Sequence, residues 1–159
     1  MALRVWRVAH WRDDTHSPGA GITMPEPQPA HPVALVVEDD EAIRALIAIF
    51  FPRFGIDVRM ASTVAQAIQV ATDHHVDCAV LDLHLGPDSG VDVLVWLRAH
   101  PRYTDTPVVI LSGLQDFPHE AATTMLQYGA VSVSKPMSYA NLCATLKRMI
   151  ADGHRGPPC

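Results

Sequence analysis

From Val33 onward, short unbroken apolar runs alternate with longer stretches whose apolar residues recur every three or four positions. The runs Val33–Val37, 78–81 and 108–111 predict strands buried on both faces, where no polar alternation is needed because neither face meets water. Residues 56–60 and 131–134 predict two further strands. Between them the helical period predicts five helices. The first, 40–54, sets Ile43, Leu46, Ile47 and Phe50 on one face, with Pro52 in its last turn and Gly55 as its stop. The others are a helix opened by Ser62 or Thr63 and running to His74, then 90–100, 118–128 closed by Gly129, and 138–150 opened by Ser138.

Strands alternating one for one with helices predict an α/β fold, a doubly wound parallel sheet covered on both sides. In such sheets chemistry collects beyond the carboxyl ends of the strands. Residues 1–32 stand apart. Five prolines fall between Ser17 and Pro32 without any periodicity, so 1–32 is expected to be a flexible extension, 33–151 the folded domain and 152–159 a short tail without an output domain. Met24 is an alternative start, and Trp6 and Trp11 an alternative docking peptide.

The strand ends carry the polar residues. Glu38-Asp39-Asp40-Glu41 follows the first strand, Asp82 the third, Ser112 the fourth and Lys135-Pro136 the fifth. Taken singly, each has a bland reading: an acidic helix start, a turn, a loop. Together they place three carboxylates (Glu38, Asp39, Asp82) at one edge of the sheet, where mutual repulsion calls for a cation. An all-oxygen ligand set suits a hard ion, magnesium, with manganese as a substitute. Lys135 adds a point charge and Ser112 a hydroxyl donor for phosphoryl oxygens. These parts suit phosphoryl transfer onto Asp82, whose carboxylate needs no general base to act as nucleophile.

Composition narrows the field. A net charge of −5 argues against a broad nucleic-acid surface, which needs a basic excess. Cys78, Cys143 and Cys159 lack ligand spacing and read as two core residues and a tail thiol in a reducing cytoplasm. No apolar run approaches the ~20 residues of a membrane span, and no secretory signal pattern is present at the start.

The stretches VALVVEDDEAIR (33–44), AVLDLHLGPDSGVDVL (79–94), PVVILSG (107–113) and GAVSVSKPM (129–137) resemble the response-regulator receiver domain of two-component signalling. The resemblance spans three quarters of the chain, 33–151. It implies a flavodoxin-like (βα)5 fold with strand order 2-1-3-4-5. It also implies that Asp82 receives a phosphoryl group from a sensor histidine kinase or histidine phosphotransfer protein. Asp39 would then bind magnesium directly, Glu38 mainly through water, and the main-chain carbonyl of His84 would be a further ligand. Ser112 and Lys135 would hold the phosphoryl group. The protein would be no enzyme beyond phosphorylating and dephosphorylating itself, acting as a stand-alone cytoplasmic module that docks on an effector protein through its last two helices or relays the phosphate onward.

Three positions depart from the family pattern. Gly86 stands where a proline is usual, Ser132 where an aromatic is common, and the interval from Gly129 to Lys135 is one residue short. Tyr128 and Tyr139 are nearby but not at the matching position. His84 and Leu114 are expected to line the route of water to the phosphoryl group. Two other readings stand beside the receiver: a degenerate receiver that binds without phosphate, and a small aspartyl-phosphate phosphatase, which would need an acid where His84 stands.

Overall fold

A computed structural model describes residues 31–113 and 118–153; Trp6, Trp11, Met24, Leu114 and Cys159 therefore lie outside the described residues. In chain order the elements are β1 (Val33–Val37), α1 (Glu41–Arg53), β2 (Asp57–Ala61), α2 (Val64–Asp73), β3 (Cys78–Asp82), β4 (His84–Leu85), β5 (Asp88–Ser89), α3 (Gly90–Ala99), β6 (Val108–Ser112), α4 (His119–Gln127), β7 (Val131–Ser134) and α5 (Tyr139–Ala151). The main sheet is parallel throughout, in the order β2-β1-β3-β6-β7. Counting only its five strands, that is the order 2-1-3-4-5.

Alternate residues of the central strands feed opposite layers. Leu35, Val37, Ala79, Leu81, Val108 and Ile110 pack with Ala67 and Ala71 of α2, Val93, Leu94 and Leu97 of α3, and Met125 of α4. Ala34, Val36, Cys78, Val80, Val109 and Leu111 pack on the other side with Ile47 and Phe51 of α1 and Leu142, Cys143, Leu146 and Met149 of α5. A strand with two apolar faces needs a layer on each, so the unbroken apolar runs dictate the three-layer architecture. The helices start where their caps stand: Asp40, Thr63, Ser89 and Ser138 each accept a backbone N–H of the first turn.

Some boundaries differ from the sequence expectation. β2 starts at Asp57, because the Ile56 amide donates to the Phe51 carbonyl (3.1 Å) at the end of α1 and leaves the ladder. The hairpin β4–β5 was not expected. Its strands hold two residues each, too few for any period to register, and its turn is made by Gly86 at φ +62°. Proline cannot adopt a positive φ, so the residue usual in the family is incompatible with this turn.

Cys78 and Cys143 are buried free thiols, as core residues should be. Burial pushes their pKa up to about 12 and about 11, which keeps them protonated and inert. Tyr103, in the polar-looking connection before β6, is fully buried, and its hydroxyl lies 2.7 Å from the Ala71 carbonyl and 2.9 Å from that of His74, tying down the end of α2.

Candidate functional site

The hydrogen-bond ladders run one residue beyond the strands, and this places the site. The Glu38 amide donates to the Ala61 carbonyl (3.1 Å), Leu83 to Leu111 (2.8 Å) and Lys135 to Ser112 (2.7 Å). Glu38, Asp82, Ser112 and Lys135, scattered over nearly a hundred residues of sequence, thus emerge side by side at one edge of the sheet. Glu38, Asp82 and Ser112 are buried, with 2%, 8% and 0% of their surface exposed, so their polar groups must find partners within the protein or in what it binds.

Lys135 joins two of them. Its ammonium donates to Glu38 Oε2 at 2.9 Å and to Asp82 Oδ2 at 2.8 Å. Asp82 Oδ1 accepts the His84 amide at 3.3 Å, and Glu38 Oε1 the Asp40 amide at 3.2 Å. Burial pulls the amine of Lys135 down, but its hydrogen bonds to Asp82 and Glu38 outweigh that and leave its pKa raised. Burial pushes Glu38 up despite the lysine, and the neighbouring charge of Asp82 pushes the same way. Ionised Glu38 is therefore held under tension that a second cation would relieve.

Asp39 is exposed, and its carboxylate completes a cluster in which one ligand oxygen each from Glu38, Asp39 and Asp82 lie within 4.8 Å of one another. Oxygen donors of this number and spacing fit a magnesium ion that retains part of its water shell. Among the described residues no other group of three acidic, histidine or cysteine side chains lies so close. Ser112 Oγ, fully enclosed, has no hydrogen-bond partner among the described residues. An orphaned buried hydroxyl beside an acidic pocket fits an oxygen-rich ligand better than a purely structural role. Ser112→Ala is expected to leave stability within about 1 kcal/mol of the parent or raise it, since an unsatisfied group is removed. If Asp82 takes up a phosphoryl group, the same change should slow that uptake. Denaturant melts and uptake kinetics on one preparation check both halves.

The His84 amide faces Asp82 while its side chain is exposed beside the pocket. Gly90 is required by close approach and not by its backbone angle: a Cβ there would overlap the Asp82 carbonyl oxygen and sit 3.1 Å from Leu81 Cβ. That places the first turn of α3, closed by a capping box between Ser89 and Asp92, directly against Asp82. Gly90→Ala is expected to destabilise by about 1–3 kcal/mol, as overpacking does, and to displace Asp82. A melt and a backbone amide spectrum of the variant test this.

Ser132 pairs with Ile110 in the sheet and is exposed. With Ala122, Met125, Leu126 and Ala130 it lines a cavity of about 310 Å³ between α4 and β7. Neither nearby tyrosine fills it: Tyr128 packs against the core below α4, and Tyr139 stacks on Phe50 of α1 with ring centroids 5.4 Å apart. Sequence reading missed a further residue at the site. The Arg44 guanidinium reaches back over the loop after β1 and donates to the carbonyls of Glu38 and Asp39, both at 2.7 Å. Its place in the first turns of a helix, where a cation opposes the helix dipole, was the available signal.

Comparison with known proteins agrees with this geometry. Residues 34–147 match the family described as response regulator receiver domain. The transcriptional regulatory protein GltR of Pseudomonas aeruginosa is 31% identical over 118 residues, which are 73% of this chain and 48% of GltR. The transcriptional regulatory protein KdpE of Mycobacterium tuberculosis is 33% identical over 119 residues, 74% of this chain and 50% of KdpE. The chain thus spans about half the length of these relatives. Among solved structures, the receiver domain of the Francisella response regulator 1452 superposes with a TM-score of 0.67 at 27% identity, covering 78% of this chain and all of that one. A CheY-like receiver domain protein of Methanospirillum hungatei reaches 0.69 over 77% of this chain and 96% of its own, and at 21% identity speaks for the fold alone. An acidic cluster closed by a lysine on a doubly wound sheet, matched over most of the chain, makes this protein a member of the response regulator receiver domain family.

Proposed function

We propose that Asp82 accepts a phosphoryl group from the phosphohistidine of a sensor kinase or phosphotransfer protein. The observation that carries this reading is the lysine bridge, in which Lys135 Nζ holds the carboxylate of Asp82 at 2.8 Å and that of Glu38 at 2.9 Å. An ammonium so placed meets phosphoryl oxygens as they arrive on Asp82. An Asp82 oxygen attacks phosphorus, the P–O bond forms as the P–N bond breaks, and the electron pair stays on the departing imidazole, which takes up a proton. The orphaned Ser112 hydroxyl donates to a second phosphoryl oxygen. Glu38, Asp39, Asp82 and the His84 carbonyl would hold magnesium, which when bound offsets charge on the carboxylates and the phosphoryl group.

The phosphorylated protein then docks on an effector through α4, α5 and β7. Leu126 of α4, 75% exposed beside the Ser132 cavity, supports an apolar contact there. The net charge of −5 supports a protein partner over a nucleic acid for this surface. That cavity also keeps a second reading alive, in which the domain binds partners without phosphate. Intact mass after incubation with acetyl phosphate and magnesium separates the two. Gain of one phosphoryl group, prevented by chelation of the metal, supports the switch; no gain under any donor supports the phosphate-independent module.

A further inference from the structure

We infer that Arg44 is the positioning residue of the acidic pair: it holds the loop after β1 in the conformation that presents Glu38 and Asp39 to a divalent ion. The inference rests on the magnesium-dependent reading above and names a residue that reading does not use. Side chains of a helix point back toward its N-terminus, so a long side chain in the fourth helical position of α1 lies over the chain entering that helix. Arg44 uses this reach. A single guanidinium nitrogen donates to two consecutive carbonyls, Glu38 and Asp39, each at 2.7 Å. Those distances are at the short, charge-assisted end of the range.

Asp40 is held as the cap of α1, its Oδ1 accepting the Ala42 and Ile43 amides. Glu38 is fixed by its amide bond to Ala61 and by its own carboxylate, which accepts from Asp40 and Lys135. The Asp39 side chain makes no hydrogen bond among the described residues and is exposed. Its carboxylate nevertheless lies within 4.8 Å of those of Glu38 and Asp82, so its place is set by the backbone, and Arg44 grips the peptide units on both sides of its α-carbon. The guanidinium also opposes the helix dipole at this end of α1, a local disadvantage that the two carbonyl bonds offset.

Magnesium titration by calorimetry, on protein shown to be folded by circular dichroism, tests the inference without any phosphoryl donor. Arg44→Ala is expected to weaken magnesium binding by about tenfold or more, the scale of losing a group that orients metal ligands. Arg44→Lys, which keeps the charge and can reach the same carbonyls, should recover most of the loss. In metal-free Arg44→Ala, amide exchange at Glu38 and Asp40, whose amides are hydrogen-bonded in the parent, should speed up while that of β3 stays at the parental rate. Binding by Arg44→Ala within twofold of the parent overturns the inference. So does weakened binding with unaltered exchange at those amides, because the loop would then hold its conformation without Arg44. If the parent binds magnesium yet takes up no phosphoryl group, the functional reading fails while the role of Arg44 stands.

Discussion

Asp82→Asn is expected to take up no phosphoryl group from acetyl phosphate or from any phosphohistidine donor, against stoichiometric uptake by the parent. The change is nearly isosteric, so the fold should persist: the amide oxygen can still accept from the His84 backbone or from Lys135, each of which reaches one side-chain oxygen of Asp82. What disappears is the anionic nucleophile, and an amide does not attack phosphorus. Neither neighbouring carboxylate can substitute. Glu38 is enclosed and already engaged by Lys135 and the Asp40 amide, and Asp39 stands at the rim without a lysine against it. Intact mass, with chemical reduction of the acyl phosphate to locate it, gives the readout. Uptake by Asp82→Asn equal to the parent's would remove Asp82 from the mechanism. In the metal-free state the variant should be at least as stable as the parent, because one of two carboxylates sharing a single ammonium has lost its charge.

Lys135→Met should have the largest effect on stability of any single change at the site. Methionine retains the length of the side chain but leaves the buried Glu38 and Asp82 carboxylates with no cation between them. Removing one partner of a buried ion pair typically costs about 3–5 kcal/mol. Some of that is recovered here by protonation of Glu38, whose pKa burial already raises. Magnesium should restore much of the loss, and more in the variant than in the parent, because the ion then supplies the missing positive charge. Denaturant midpoints with and without magnesium test this; equal shifts in both proteins would show that lysine and ion do not share the same carboxylates. The pH dependence follows in sign. The pKa of Lys135 is raised above its ordinary value of 10.5 in the folded protein, so its stabilisation is fully present below that value and is lost as pH rises through the folded one. The variant should lack this alkaline limb.

The strands of the sheet interior and the convergence of chemistry at their ends were legible in sequence because both follow from a strong, local signal. An unbroken apolar run leaves one structural solution, and a polar residue directly after it must lie at the sheet edge. Asp82 and Ser112 fall out of that reasoning alone; Lys135, which follows the alternating Val131–Ser134, needed the Lys-Pro pair and the convergence as well. Tyr103 did not, because its value lies in a long-range bond from a loop to the end of α2, and nothing local marks it. Arg44 was hidden for the opposite reason: on a helix rich in exposed positions it reads as one more solvated cation until its carbonyl partners are seen. Gly90 was expected as the first residue of the third helix, whereas its requirement comes from a backbone packed against it from another element. Pattern reveals which face is buried; it does not reveal which atoms touch.

The placement of Lys135 has a mechanical consequence. Asp82 belongs to β3, clamped between β1 and β6 and roofed by helices above and below, whereas the lysine hangs from the end of β7, which among the described residues is held along one side only. Any tug between the two is resisted at the centre and yields at the margin. If Asp82 takes up a phosphoryl group as proposed, the strain it sets up would be passed outward, to the flank where β7 meets α4.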